Sequence, residues 1–363
     1  MLTVRSLSLL LAFGALTAVE AVPQNRANRG GRNRNKGQGN RGGGQQQAAT
    51  AFQQAQQIPQ GVSTATDGST ILDTTANVNG LPLRFKVSAP ADQFTADSGV
   101  DGATQDAGAA GDLGLNVLLH GDGGQSFFDF PNQAVQAGLA GVAVLAPDPN
   151  LFWGGGSGLD RTDGVAHAQA VADLIADVMP QVLAFNSSKV SFTGVSGGSL
   201  LLSGFLMPGH MDQFASAGQE SQVLLNCGGL EPQVAVGDAA AAALANTRVH
   251  FQSTQQELTL LQPAIPAAIQ AYEQIAASQG LNANAIGALQ TVDNSPNGGH
   301  CEFDEQDFVS GVQLMADSFS SIVQGGDGTL DGTNVNVLNP VVGNEDLAFS
   351  GASRKRDVML WME

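Results

Sequence analysis

The 363-residue sequence predicts an α/β fold, in which a mainly parallel sheet carries helices on both faces. Short apolar runs suited to buried strands alternate along the chain with segments of helical periodicity. A glycine-rich turn with a central serine, residues 194–198, joins one apolar run to a helical segment. A second glycine-rich turn, residues 120–124, directly follows another apolar run. Reactive groups of parallel sheets gather at the carboxyl ends of the strands, where these turns would lie.

The strands are predicted from apolar or alternating runs bounded by turn residues. The first two are expected to form a hairpin around Asn79-Gly80, a dipeptide suited to the left-handed geometry of a two-residue turn. The predicted strands are Ile71–Val78, Leu81–Val87, Leu115–Leu119, Val142–Ala146, Val190–Val195, Val223–Asn226 and Arg248–Gln252.

Helices are predicted where apolar residues recur every three or four positions. The predicted helices are Phe127–Gly138, Gly164–Phe185, the segment from Ser196 to Met207, Pro263–Ser278 and Asp304–Val323, the last with Asp304 as its N-cap. Ala89–Gly114 is expected to be a loop, and Trp153-Gly154-Gly155-Gly156 to begin a flexible surface loop. The whole run 61–340 is predicted to form one domain.

The N-terminus has the pattern of an export signal. Arg5 precedes an apolar run that is too short to span a bilayer, and small residues follow it. We therefore expect residues 1–21 to be a signal peptide cut after Ala21, and the mature protein to be secreted, extracellular and not membrane-bound.

Both ends of the mature chain have a composition unlike that of a folded domain. Residues 22–60 are rich in Arg, Asn, Gly and Gln without an acidic residue, which predicts a disordered basic arm. An RNA-binding arm is one interpretation, but export favours a solvated tether or a cell-wall contact. In the tail, residues 341–363, Lys355-Arg356 is either a dibasic processing site or part of an ordinary basic end.

The charge of the central part limits its partners. From Gly61 to Ser353, five basic residues face 30 acidic ones, so that this part is near −25 while the whole chain is −18. A domain of this charge repels nucleic acids and anionic membranes. We expect neither as a partner.

Two modifications are predicted from single motifs. Cys227 and Cys301 are the two cysteines, and in an exported protein they favour one disulfide over two free buried thiols. Asn186-Ser187-Ser188 is a glycosylation sequon ahead of the strand that ends near Ser196, so a glycan at Asn186 would lie away from that serine.

Ser196 is the candidate nucleophile. It stands in Gly194-Val195-Ser196-Gly197-Gly198, and the flanking glycines suit a sharp strand-to-helix turn where the backbone passes too close for a Cβ. The N–H of Gly197 and those of residues 120–124 are candidate donors to an oxyanion. The alternative is a glycine-rich turn with an idle serine.

His300 is the candidate general base, because it lies in a late glycine-rich loop, Asn297–Cys301, that could reach Ser196. The other four histidines are weaker candidates, with His120 expected to shape its loop. Glu257 is the best candidate for the acid of a triad, since it follows the strand Arg248–Gln252. Asp293 and Asp304 are alternatives nearer His300 along the chain, while the carboxylates after it are expected to form a solvated helix start.

The order serine, acid, histidine with a His-Gly loop ahead of the serine resembles the α/β-hydrolase superfamily from about Leu115 to Val323. LLHGDGG, GVSGGS and GGHC are similar to a secreted esterase branch with feruloyl, acetylxylan and polyhydroxyalkanoate esterases, and GLPLRFKVSAP to a fungal-type secreted group of unassigned substrate. The resemblance implies Ser196 as nucleophile, His300 as base, and Asp122 or Gly123 with Gly197 as oxyanion donors. The family usually has Asp where Gln256 falls.

These observations predict a secreted serine carboxylesterase that works through an acyl-enzyme without metal or cofactor. Neutral acyl esters, on small molecules or on plant or cell-wall polysaccharide, are the expected substrates. Two alternatives stay open: a serine peptidase with the same triad, and a binding or wall-associated protein that has lost its acid at Gln256.

Overall fold

The structure, a computed structural model, describes residues 49–65, 67–129, 138–215, 221–303, 308–330, 337–341, 347 and 349–350. The strands in these ranges are β1 Gly61–Thr64, β2 Thr70–Val78, β3 Leu81–Ala89, β4 Gly114–Leu119, β5 Leu139–Leu145, β6 Val190–Val195, β7 Ser221–Asn226, β8 Thr247–Gln252, β9 Gln290–Asp293 and β10 Asn339–Pro340.

The helices in the same ranges are α1 Ala51–Ala55, α2 Gln125–Asp129, α3 Gly164–Asp173, α4 Met179–Val182, α5 Gly197–Leu201, α6 Met207–His210, α7 Asp238–Leu244, α8 Leu261–Ser278, α9 Ala283–Leu289, α10 Phe308–Asp317 and α11 Phe319–Val323. A π-helical turn, Leu174–Val178, links α3 to α4, and another, Leu202–Leu206, links α5 to α6. No helix among the described residues is both long enough and apolar enough to cross a bilayer.

The strands form one mixed sheet in the order β1-β2-β3-β5-β4-β6-β7-β8-β9-β10. The run from β5 through β9 is parallel. The first three strands and β10 are antiparallel to their neighbours. The exchange of β4 and β5 in the order and the antiparallel β3 beside β5 are features of the α/β-hydrolase fold. The chain has this fold, as its sequence predicts.

The central strands β4 to β7 are buried along their whole length because both faces of the sheet are covered. In β4, Leu115, Val117 and Leu119 belong to one hydrophobic cluster, while Leu118 belongs to the other. The first cluster includes the buried sides of α3 and α8, and the second includes those of α10 and α11. The central part of the sheet is therefore a layer between two sets of helices, and the ends of its strands are where a site can form.

The register of the parallel strands aligns their carboxyl ends. One row of paired residues runs across four strands through Val195, Asn226, Gln252 and Asp293. The residue after each of them begins a loop on the same edge of the sheet. Ser196 directly follows β6, the loop after β8 carries Glu257, and the loop after β9 carries His300. The aligned strand ends bring these three positions to one edge of the sheet. We call the two loops the acid loop and the histidine loop.

Several predicted boundaries need correction. The Gly164–Phe185 helix ends at Val182, where the chain turns to an extended conformation at Leu183. Trp153 is fully buried rather than part of a flexible surface loop, because it packs between the rings of His120 and His167. Of the predicted helix Phe127–Gly138, the structure describes α2 and Gly138, which lies in a turn at φ 77°.

The sequence predicts residues 49–60 to be part of the disordered arm, but in the structure this segment contains a helix. Thr50 caps α1 through a capping box, and Ala55 is buried. The Nη1 atom of Arg84 donates to the Ala55 carbonyl oxygen at 2.6 Å, which ties this segment to β3. The folded domain thus begins before Gly61. The signal peptide, residues 22–48 of the arm, the Asp304 cap and the Lys355-Arg356 site lie outside the described residues.

Candidate active site

Ser196 occupies a strained backbone conformation at the turn between β6 and α5. Its φ of 48° and ψ of −113° lie in a region that L-residues rarely adopt, at a cost of roughly 1–3 kcal/mol. Its N–H donates to the Asn226 carbonyl oxygen at 2.9 Å, and its own carbonyl accepts from the Leu200 N–H at 3.1 Å. These bonds hold the turn in place and leave the side chain partly exposed.

The glycines around the serine are required by close backbone contacts. A Cβ at Gly194 would lie 2.6 Å from the Ser199 Cα atom. A Cβ at Gly198 would lie 2.8 Å from the His120 carbonyl oxygen and would overlap that of Leu119. The turn therefore has the geometry that the glycine pattern predicts, with the serine hydroxyl at the edge of the sheet.

His300 contacts both the serine and an acid. Its Nε2 atom is 2.8 Å from the Ser196 Oγ atom, and its Nδ1 atom is 2.5 Å from Oε1 of Glu257. The histidine is 6% exposed and Glu257 is fully buried. The structure thus joins Ser196, His300 and Glu257 in one hydrogen-bonded chain, although 104 residues separate the serine from the histidine.

Glu257 is held as a hydrogen-bond acceptor. Its Oε1 atom also accepts from the Leu258 N–H at 2.7 Å, and Oε2 accepts from the Ser253 hydroxyl at 3.1 Å. A buried carboxylate needs such donors to offset the loss of water. Gln256 does not compete for the histidine, because it is only half-buried and its side chain donates to Asn297 Oδ1 at 2.9 Å.

Of the two alternative acids, the structure describes Asp293, whose carboxylate has other hydrogen-bond partners. The carboxylate of Asp293 accepts from the Gln252 side chain at 3.1 Å and from the Ser295 N–H at 3.0 Å. Asp304 lies outside the described residues. Glu257, the first choice from the sequence, is the carboxylate that hydrogen-bonds to the Nδ1 atom of His300 within the described part of the chain.

The predicted disulfide is confirmed, and it fixes the histidine loop to the sheet. Cys227 follows β7 directly and is bonded to Cys301, the neighbour of His300. The loop is also paired with the acid loop, since the Thr254 hydroxyl donates to the Gly299 carbonyl at 2.8 Å and the Gln255 N–H to that of Pro296 at 2.9 Å. The loops that carry His300 and Glu257 are therefore braced against each other.

Two of the three predicted oxyanion donors keep their N–H groups available. The N–H of Asp122 and that of Gly197 have no hydrogen-bond partner within the described ranges. The two residues are adjacent, because a Cβ at Gly197 would lie 2.5 Å from the Asp122 Cγ atom. Gly123 does not fit the role, since its N–H donates to the Leu151 carbonyl at 3.1 Å.

Two of the other histidines, His120 and His250, are buried parts of the framework. His120 is buried, with Nδ1 2.6 Å from the Gly121 carbonyl oxygen while Nε2 accepts from the Ala146 N–H at 2.9 Å. Burial lowers the pKa of His120 to about 4, so it is neutral at pH 7. The same cause lowers the pKa of His250 to about 4. His120 shapes its loop, as the sequence predicts.

Two further predicted features have definite surroundings. Asn186 precedes β6 at the end of the strand opposite Ser196, in a turn where its Oδ1 atom accepts from the Ser188 N–H at 3.0 Å. Among the described residues, one cluster has the spacing of metal ligands, namely Cys227, His300 and Cys301. Its two sulfurs form the disulfide, so it offers no thiolate to a metal.

Two contributors to the site were missed from the sequence. Ser253 hydrogen-bonds to Glu257, and Arg161 forms a two-pronged ion pair with Asp122. A hydroxyl four residues before a candidate acid is a signal that could have identified Ser253. The pair between Arg161 and Asp122 spans 39 residues and leaves no local pattern.

No protein-family model and no curated protein matches the chain. Similar solved structures include the poly(3-hydroxybutyrate) depolymerase LpqC of Bordetella parapertussis, at 16% identity over 74% of this chain and 92% of that one, with a TM-score of 0.43. An esterase structure from Rhizomucor miehei is 12% identical over 75% of this chain and 90% of its own, with a TM-score of 0.40. At such distance the chemistry must be argued from the site itself.

Proposed function

We propose that this protein is a secreted serine esterase that cleaves neutral acyl esters through an acyl-enzyme. The observation that carries the proposal is the contact of His300 with both Ser196 and Glu257. A serine within hydrogen-bond distance of an imidazole that is oriented by a buried carboxylate is the arrangement needed for nucleophilic catalysis.

In the first half-reaction, the Ser196 oxygen attacks the ester carbonyl carbon while His300 Nε2 takes the hydroxyl proton. The carbonyl π electrons move to oxygen, and the N–H groups of Asp122 and Gly197 stabilise that oxyanion. Glu257 stabilises the imidazolium and fixes its tautomer. The oxyanion then collapses, the carbon–oxygen bond to the alcohol breaks, and His300 returns its proton to the leaving oxygen.

In the second half-reaction, His300 removes a proton from water, and the hydroxyl oxygen attacks the acyl carbon. Collapse of this second oxyanion breaks the bond to Ser196, which regains a proton from the imidazolium. The products are a carboxylic acid and the regenerated serine. The steps balance with water as the one co-reactant.

The charge of the domain supports neutral substrates. A formal charge near −25 from Gly61 to Ser353 repels esters that carry their own negative charge. Export through residues 1–21 would place the enzyme outside the cell, where acyl groups on polysaccharide are one class of neutral ester. The basic arm would serve as a tether or a cell-wall contact.

The proposal is tested by removal of the serine hydroxyl. Ser196→Ala should lose p-nitrophenyl acetate turnover and covalent labelling by a fluorophosphonate probe, since no oxygen is left to attack. Ser199→Ala is the matched control, because its hydroxyl is bonded to the Asn226 carbonyl oxygen at 2.9 Å rather than to His300. Turnover that persists in Ser196→Ala, or absence of labelling in the wild type, would reject the proposal.

Nitrophenyl substrates and the fluorophosphonate probe also distinguish the esterase from the two alternatives, a serine peptidase and a binding protein. A peptidase would prefer aminoacyl over acyl nitrophenyl substrates, whereas an esterase would show the reverse. The binding-protein alternative depends on the absence of an acid at position 256, and the contact between Glu257 and His300 argues against it. A binding protein without a triad would show no labelling of Ser196 by the fluorophosphonate probe.

A further inference from the structure

The side chain of Asp122 places a carboxylate next to the candidate oxyanion hole. Its N–H is one of the two donors, and its Oδ2 atom would be 3.0 Å from a Cβ placed on Gly197, whose N–H is the other. Negative charge here would oppose the developing charge on the substrate oxygen and weaken the very donors that should stabilise it.

Arg161 compensates this charge at close range. Its Nη1 atom donates to Asp122 Oδ1 at 2.9 Å, and Nη2 donates to Oδ2 at 2.8 Å. The arginine side chain is 2% exposed and the aspartate side chain 15%, so water screens the pair poorly. The two hydrogen bonds also fix the orientation of the carboxylate, as a planar guanidinium does better than an ammonium.

The same guanidinium is anchored to the loop that follows β5. Its Nη1 atom also donates to the Trp153 carbonyl at 2.9 Å, and Nη2 donates to that of Gly158 at 2.8 Å. Trp153 in turn packs against His120, two residues before Asp122. Arg161 thus holds the turn of residues 120–124, which carries Asp122, against the loop that follows β5.

We propose that Arg161 is a positioning residue for the oxyanion hole, which neutralises the Asp122 carboxylate and holds the turn that presents the Asp122 N–H. The inference rests on the proposed esterase function. Arg161 would act through Asp122, because its guanidinium bonds to that carboxylate and to the carbonyls of Trp153 and Gly158.

The test is a charge-deletion cycle measured as kcat and KM on p-nitrophenyl acetate, with thermal unfolding of each variant. Arg161→Met should lower kcat about 10²-fold, the effect of losing one oxyanion donor, with KM within about threefold of wild type. The double variant with Asp122→Asn should recover kcat to within about tenfold, because no unpaired carboxylate remains. Arg161→Lys, which keeps the charge but not the fork, should lie between Arg161→Met and wild type.

Lys189→Met is the control, since it removes an exposed positive charge at the opposite end of β6. It should leave kcat within about threefold of the wild type. If Arg161→Met does not fold, Arg161→Lys and the double variant carry the test. The inference is overturned if Arg161→Met keeps its kcat, or if the double variant is no faster than the single one. A wild type that neither turns over substrate nor labels overturns the esterase function and the inference with it.

Discussion

Replacement of Glu257 by Gln separates the charge of the triad acid from its geometry. Glu257 Oε1 lies 2.5 Å from His300 Nδ1, and a Gln oxygen could accept the same bond. The amide nitrogen would replace Oε2, whose one described partner is the Ser253 hydroxyl, a group that can rotate to accept. The substitution should therefore preserve the site and remove only the negative charge.

The magnitude follows from the lost attraction to the imidazolium. With charge centres roughly 4 Å apart and an effective dielectric constant of about 20, the attraction is about 4 kcal/mol. That corresponds to a fall in kcat of about 10³-fold, since about 1.4 kcal/mol is one factor of ten. KM for p-nitrophenyl acetate should stay within about threefold, because the acid makes no substrate contact in the proposed mechanism.

The control is Glu302→Gln, which deletes a carboxylate from the histidine loop without touching His300. Glu302 Oε2 accepts from the Gly299 N–H at 2.9 Å, and a Gln oxygen could accept the same bond. Its kcat should stay within about threefold. Equal losses in both variants would indicate a general charge effect, and a Glu257→Gln enzyme with wild-type kcat would refute the assignment of Glu257 as the acid.

Three further predictions use other parts of the structure. Replacement of Cys227 and Cys301 by Ser should lower the free energy of unfolding by about 4 kcal/mol, as expected for a bridge across 74 residues, and should lower kcat; denaturant unfolding and steady-state kinetics test both effects. Burial lowers the pKa of His250 to about 4, so between about pH 6.5 and pH 4 the unfolded chain binds a proton at this residue that the folded chain does not. The free energy of unfolding should therefore decline as the pH falls through that window, and it should decline less in His250→Gln. Denaturant titrations at each pH measure both. Gln256→Asp combined with Glu257→Gln should stay as slow as Glu257→Gln alone in the esterase assay, because the side chain at 256 is directed to Asn297 rather than to His300.

The sheet was predictable because its strands carry a strong local signal. Runs such as Leu115–Leu119 are apolar on both faces and end in glycine-rich turns. The elements that were missed have weak patterns. The strand β9 has the polar sequence QTVD, and α7 is a run of alanines with little amphipathic contrast. Their structure is decided by neighbours, β8 and β10 for the strand and the core for the helix.

The serine and the histidine were predictable for a different reason. Close packing around Ser196 forces glycine at Gly194 and Gly198, so the geometry leaves a mark in the sequence. Arg161 leaves no such mark, since an arginine 39 residues from its partner resembles any surface cation until the fold buries it. Trp153 was misassigned to a surface loop because the glycines after it dominate the local pattern.

The position of the acid shows why counting along a family pattern can misjudge a site. What the imidazole requires is a carboxylate oxygen at its Nδ1 atom, and the loop after β8 supplies one from Glu257, the residue after Gln256. The Gln256 N–H donates to the Gly298 carbonyl at 3.2 Å, which pairs this position with the histidine loop, while its side chain donates to Asn297. Glu257 then faces inward, and Ser253 on the same loop supplies a donor to its carboxylate. A carboxylate at position 257, with a hydrogen-bond donor of its own on the same loop, contacts His300 Nδ1, so the Gln at position 256 is not evidence of a lost triad.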